Sequence, residues 1–203
     1  LVLIAVSDGL GSKPLSHIGS QAVCRAVVRV ARHYMSTLVI EPLSVIELFH
    51  SFWLEELNGA EVEQCSCTAL FAIVLGDITF IAQVGDGDGC IITSAQAVQR
   101  VYFLTDKEVG LFANPTHSLG KKNQIGQWNF CVQPTVELEA CFLVTDGIAD
   151  DLASEHRIDF YRELLNQYRL LSDIEVTLDV KHWISDWPVT GHSDDKTIAA
   201  LYR

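Results

Sequence analysis

Residues 69–92 read ALFAIVLGDITFIAQVGDGDGCII, and this stretch decides the fold class. Two seven-residue apolar runs, rich in β-branched and aromatic side chains, are separated by Gly76-Asp77. A third run opens after the Gly85-Asp86-Gly87-Asp88-Gly89 turn. Runs this short, punctuated by Gly-Asp turns, predict consecutive antiparallel strands at 66–75, 78–84 and 89–93, followed by 98–104 beyond the Ser-Ala-Gln-Ala turn.

Outward from this core, the apolar run at Val2–Val6 predicts a strand that is fully buried and central in its sheet. Residues Ile18, Ala22, Val23, Ala26, Val27, Val30, Ala31 and Tyr34 recur at three and four, which predicts an amphipathic helix over 16–35. A second helix is expected at 42–58, with Pro42 in its first turn and Asn58-Gly59 as its stop. Residues 105–127 have no sustained period and read as a long loop, a plausible flap carrying the vicinal pair Lys121-Lys122. Strands at 129–133 and 140–145, helices at 151–170 and 173–186, and a strand at 196–202 complete the chain. This is an α+β order, with antiparallel sheets covered by helices and no internal repeat.

The composition fits one globular domain spanning 1–203, with 49% hydrophobic and 20% charged residues over 203 positions. The apolar runs fall short of the roughly 20 residues that a membrane span needs. A formal charge of −12 argues against a nucleic-acid binder, because affinity for phosphate backbones comes from basic contacts. Most of the six cysteines stand inside apolar runs, which favours a reducing, cytoplasmic setting.

Three acids share one address: Asp8 follows the first strand, Asp146 follows Ala140–Thr145, and Asp194 precedes the last strand. If the three strands neighbour one another in a sheet, the acids converge, and their mutual repulsion calls for a cation. Hard divalent ions with oxygen ligands, Mg²⁺ or Mn²⁺, suit such a set. Other phosphate and nucleophile motifs fail. Pro14 stands where a dinucleotide fingerprint starting at Gly9 needs glycine, Pro115 breaks a P-loop ending at Gly120-Lys121, and Gly85 and Gly89 enclose Gly87 where a nucleophile elbow needs serine.

Taken in order, IAVSDGLGS (4–12), CTALFAIVLGDITFIAQVGDGDGCII (67–92), FLVTDGIADDL (142–152) and GHSDDKTIAALY (191–202) resemble the metal-dependent Ser/Thr protein phosphatases of type 2C. FANPTHSLG and GQWNFCV are most similar to the compact bacterial branch. The resemblance implies a four-layer α-β-β-α sandwich and hydrolysis of phosphoserine and phosphothreonine in proteins by a water bridging two Mn²⁺ or Mg²⁺ ions. It assigns Asp8, the carbonyl of Gly9, Asp146 and Asp194 to those ions. Asp86 and Asp150 match acids that serve a third, weaker metal, and Asp195 falls at an Asn position behind the ligands. Asn114, Thr116 and His117 match the flap. The implied partner is a phosphorylated protein substrate, with no nucleic acid or membrane, and a monomer is expected.

The chain departs from the pattern in four places. No segment of residues 1–203 matches the family's upstream strand with its phosphate-binding Arg and further acid. Leu10 stands where some members carry a His proposed to protonate the leaving alcohol, a role for which His17, His117 and His192 are the alternatives. Gly87 and Asp88 replace the Ser and Arg of the VGDSR motif. A phosphatase-like binding or regulatory module without turnover is therefore the competing expectation. An Asp-nucleophile phosphotransferase is a weaker fit, because it needs a second Asp at position 10.

Overall fold

In a computed structural model of the chain, residues 1–35, 40–105, 117–189 and 194–203 are described. The elements in order are β1 (Leu3–Val6), α1 (Ser16–Tyr34), α2 (Pro42–Glu56), β2 (Ala69–Leu75), β3 (Ile78–Val84), β4 (Asp88–Ala95), β5 (Val98–Phe103), β6 (Asn129–Pro134), β7 (Leu138–Val144), α3 (Asp146–Ala149), α4 (Arg157–Tyr168), α5 (Asp173–Ser185) and β8 (Ile198–Tyr202).

The strands form two antiparallel four-stranded sheets, in the orders β1-β2-β3-β6 and β5-β4-β7-β8. Alternation along β2 explains why its run is apolar throughout. Ala69, Phe71 and Ile73 face α1 and α2, whereas Leu70 and Ala72 meet Ile91, Cys141 and Leu143 of the other sheet. On the far side, Phe142, Val144 and Ile92 pack against Tyr161, Leu165 and Tyr168 of α4. Helix, sheet, sheet and helix thus stack in four layers, as the fold class requires.

Two expectations about the strands need correction. β1 is an edge strand whose residues Leu3–Ala5 are only partly buried. Its apolar character on both faces comes from layering, because α1 covers one face and β7 and β8 lie against the other. Asp8 and the later acids also do not extend from neighbouring strands of one sheet. β1 belongs to one sheet and β7 and β8 to the other, and the acids meet because the two sheets are stacked.

Among the helices, the one expected from 151 starts later, at Arg157 of α4, and a separate single turn, Asp146–Ala149, precedes it. The stop at Asn58-Gly59 appears as expected, with both residues at positive φ. Between them the antiparallel pairings place the C-terminal ends of β1, β3 and β7 beside the N-terminal starts of β2, β4 and β8. Asp8, Asp86, Asp146 and Asp194 each follow or precede a strand at this end, whereas Asp77 lies in the β2–β3 turn at the opposite end.

Candidate metal centre

The first acid is fixed by the neighbouring strand. The Asp8 N–H donates to Thr68 Oγ1 at 2.9 Å, and the Thr68 N–H donates to the Asp8 carbonyl at 2.8 Å. Ser7 Oγ donates to the Thr68 carbonyl at 2.6 Å, and Gly9 bridges Cys67. The Asp8-Gly9 turn is therefore a continuation of the sheet in irregular form, held by backbone groups that would otherwise be unpaired.

Thr145 does the same work for the second sheet. Its N–H donates to the Thr197 carbonyl at 3.1 Å, while its hydroxyl accepts from the Thr197 N–H and donates to the Asp195 carbonyl, both at 3.1 Å. These bonds place the Asp194-Asp195 segment against the start of α3. There Asp146 Oδ1 accepts the Gly147 N–H at 2.8 Å. Gly147 is required by this approach, since a Cβ on it would lie 2.5 Å from the Asp195 carbonyl oxygen.

The result is a cavity of about 400 Å³ lined by Asp8, Gly9, Leu10, Gly11, Thr68, Asp86, Asp146, Asp194 and Asp195. Partial burial pushes the Asp8 carboxyl up from 3.8 to about 6, reinforced by the charges of Asp146, Asp195 and Asp86 and opposed by the Gly9 N–H. Asp146 is raised too, by partial burial first and by Asp86 next. Among the described residues no three His, Cys, Asp or Glu side chains close on a single point tightly enough to hold an ion. Five carboxylates ring the cavity instead, which is the arrangement their repulsion favours. An all-oxygen donor set of this kind suits hard divalent cations. A larger groove of about 560 Å³ between α5 and β8 is lined mainly by apolar side chains, with Asp173 and Lys181, and holds no such group of acids.

The family profile for protein phosphatase 2C matches residues 1–187. The chain belongs to the protein phosphatase 2C family. No curated protein matches it by sequence. By fold it is similar to the serine/threonine phosphatase Stp1 from Staphylococcus aureus, at 16% identity and a TM-score of 0.64, over 98% of this chain and 82% of that one. It is likewise similar to a bacterial serine phosphatase, at 17% identity, a TM-score of 0.61, and 98% and 85% coverage. A third similar structure is the catalytic domain of the phosphatase PstP in complex with two manganese ions, at 13% identity, a TM-score of 0.60, and 98% and 85% coverage. At these identities the likeness is one of fold.

Measured against this protein phosphatase 2C frame, the cavity gathers Asp8, Gly9, Asp146, Asp194 and Asp86. Asp195, expected behind the ligands, also lines it, because Thr145 holds its carbonyl and leaves the rest of the residue at the cavity wall. Asp150 is exposed at the end of α3 and is not among the lining residues, although its charge still acts on Asp146. His117 and His17 are exposed and do not line the cavity either. Asn114, Thr116 and His192 lie outside the described residues. Sequence reasoning missed Thr68 and Thr145, whose only signal is a hydroxyl beside each acid-bearing strand end, within the Cys67-Thr68 and Thr145-Asp146 pairs.

Proposed function

We propose that this chain is a divalent-metal-dependent protein phosphatase acting on phosphoserine and phosphothreonine. One observation carries the reading: in a chain of the protein phosphatase 2C family, Asp8, Asp86, Asp146, Asp194 and Asp195 converge on one cavity from both sheets. Asp8, Asp146 and Asp194, with the Gly9 carbonyl, would hold two Mn²⁺ or Mg²⁺ ions, and Asp86 would serve a third. Such ions supply positive charge for the phosphate and lower the pKa of a water towards neutrality.

The chain's own residues account for the rest. The carboxylates alone would repel a phosphate dianion, so substrate entry depends on their neutralisation. Among the described residues the cavity offers no Ser, Cys or His nucleophile, and the Thr68 hydroxyl is engaged by the Asp8 N–H. Phosphoryl transfer asks little covalent work of a protein, and rigid placement of charge is what Thr68 and Thr145 provide.

The test is hydrolysis of p-nitrophenyl phosphate and of a phosphothreonine peptide with Mn²⁺ and with EDTA. Turnover that needs Mn²⁺ and disappears in Asp146→Asn is expected. Turnover by Asp146→Asn at the parent's rate would sink the assignment. A second reading, a module that binds without turnover, draws on the absence of Arg, Lys and His from the described residues lining the cavity. Calorimetry with no Mn²⁺ binding by the parent would favour it.

A further inference from the structure

Asp88, the first residue of β4, is fully buried. A buried carboxylate is costly unless its oxygens are fully bonded, and here donors from two side chains of α4 reach it. Arg157 supplies Nε at 2.7 Å and Nη2 at 2.5 Å, and Tyr161 supplies its hydroxyl at 3.2 Å. Arg157 and Tyr161 are themselves buried on α4. The guanidinium lies 3.6 Å from the centroid of the Phe103 ring, which fixes its plane from the β5 side.

Two residues before Asp88 stands Asp86, which lines the carboxylate cavity. The loop that carries it is closed at its neck by Gln83, whose Nε2 donates to the carbonyls of Gly85 at 3.1 Å and Gly87 at 2.6 Å. Both partners are acceptors, so the amide orientation is set by the geometry. Gly87 packs directly on the end of β7, where a Cβ would overlap the Val144 carbonyl. Asp86 is thus held between two anchors, one across the loop and one reaching from α4, at a fixed offset from Asp146 two residues beyond Val144.

We infer that Arg157 and Tyr161 are positioning residues: by clamping Asp88 they place Asp86 and so set the affinity of that side of the cavity for a divalent cation. The inference rests on the reading of the cavity as a metal centre. An ion pair serving stability alone does not require this geometry, since well-packed apolar residues commonly stabilise as much. The planar fork of Arg157 is what transmits orientation, and a lysine cannot reproduce it.

The experiment is Mn²⁺ titration by calorimetry of the parent, Arg157→Lys and Tyr161→Phe, with melting followed in EDTA to identify the folded fraction. The weakest Mn²⁺ site is expected to lose about 10–100-fold in affinity in Arg157→Lys and less in Tyr161→Phe, with the tighter sites retained. Variants that melt at lower temperature yet bind Mn²⁺ with the parent's stoichiometry and affinity would reduce the network to a structural role and overturn the inference. If Arg157→Lys does not fold, Tyr161→Phe decides. A parent that binds no Mn²⁺ overturns the metal reading and this inference together, whereas a binding parent with unchanged variants overturns this inference alone.

Discussion

Asp8 and Thr68 exchange two hydrogen bonds across the gap between β1 and β2, the Asp8 N–H reaching Thr68 Oγ1 at 2.9 Å and the Thr68 N–H reaching the Asp8 carbonyl at 2.8 Å. The side chain that faces the cavity is therefore positioned by its own backbone, and the backbone by a buried hydroxyl. Thr145 repeats the device for Asp195 in the other sheet. The two sheets deliver their acids through the same kind of contact.

Thr68→Val keeps the side-chain shape and removes the acceptor. The Asp8 N–H is left without its partner at a half-buried position, an expected cost of about 1–3 kcal/mol in urea unfolding. Displacement of the Asp8 turn should also weaken Mn²⁺ binding by about tenfold or more, whereas Thr68→Ser, which retains the hydroxyl, should hold both near the parent. Equal Mn²⁺ affinity in Thr68→Val and Thr68→Ser would show that the hydroxyl does not position the acid.

The raised Asp8 carboxyl gives a pH dependence of definite sign. Its value in the fold, about 6, lies above the ordinary 3.8, so the folded state favours the protonated acid. Stability of the metal-free protein from this group is fully present below about pH 3.8 and is lost as pH rises through about 6. Metal binding runs the other way, because the ion displaces the proton: Mn²⁺ affinity should climb by up to about tenfold per pH unit below 6 and level off above it. Melting curves with EDTA and with Mn²⁺ at stepped pH would check both arms, and an affinity flat between about pH 5 and 6 would contradict the placement of Asp8.

Much of this architecture was legible in the sequence, because short apolar runs broken by Gly-Asp turns leave few alternatives to antiparallel strands. The acids were legible for the same reason, as each ends or begins a run. What escaped were relations between layers. The run at Val2–Val6 reads as central from its apolar character, but layering by α1 and the opposite sheet produces the same pattern on an edge strand. The Asp88–Arg157 pair spans 69 positions and has no local period. Its one signal is an acid opening the apolar run Asp88-Gly89-Cys90-Ile91-Ile92, where burial demands a partner that only the tertiary fold names. Thr68 and Thr145 look like ordinary strand-end residues until the neighbouring strand of the same sheet is seen.

Asp146→Asn should separate function from stability. Asp146 and Asp8 repel each other in a partly buried setting, and Asp86, Asp150 and Asp194 add to the load on Asp146. Removing one charge is expected to raise the melting temperature of the metal-free protein, at about 2–4 °C for each kcal/mol relieved, while abolishing Mn²⁺-dependent turnover. The parent should recover stability with Mn²⁺, by about 2.7 kcal/mol at a hundredfold excess over Kd, and the variant should not. Scanning calorimetry with and without the ion measures both. A variant that melts below the parent in EDTA would mean that the charge of Asp146 strengthens its bond from the Gly147 N–H, a bond Asn can accept only as a neutral carbonyl, by more than it costs in repulsion.

Gly147→Ala sets helix propensity against steric room at the start of α3. Alanine favours a helical position over glycine by about 1 kcal/mol, so local propensity alone predicts a more stable protein. The added Cβ, however, would lie 2.5 Å from the Asp195 carbonyl oxygen and 3.3 Å from the Asp194 carbonyl carbon, both backbone atoms. Overpacking against a backbone costs about 1–3 kcal/mol and is relieved only by moving the segment, so the steric effect wins. That segment carries two of the five cavity acids and is tied to β7 through Thr145. Loss of stability in urea unfolding, together with weaker Mn²⁺ binding, is the expected outcome. Gly126→Ala, where a Cβ meets nothing within 4 Å, serves as the control and should change neither. A Gly147→Ala protein that is more stable than the parent and binds Mn²⁺ as well would show that the Asp194-Asp195 segment yields freely and that its position is not fixed by this contact.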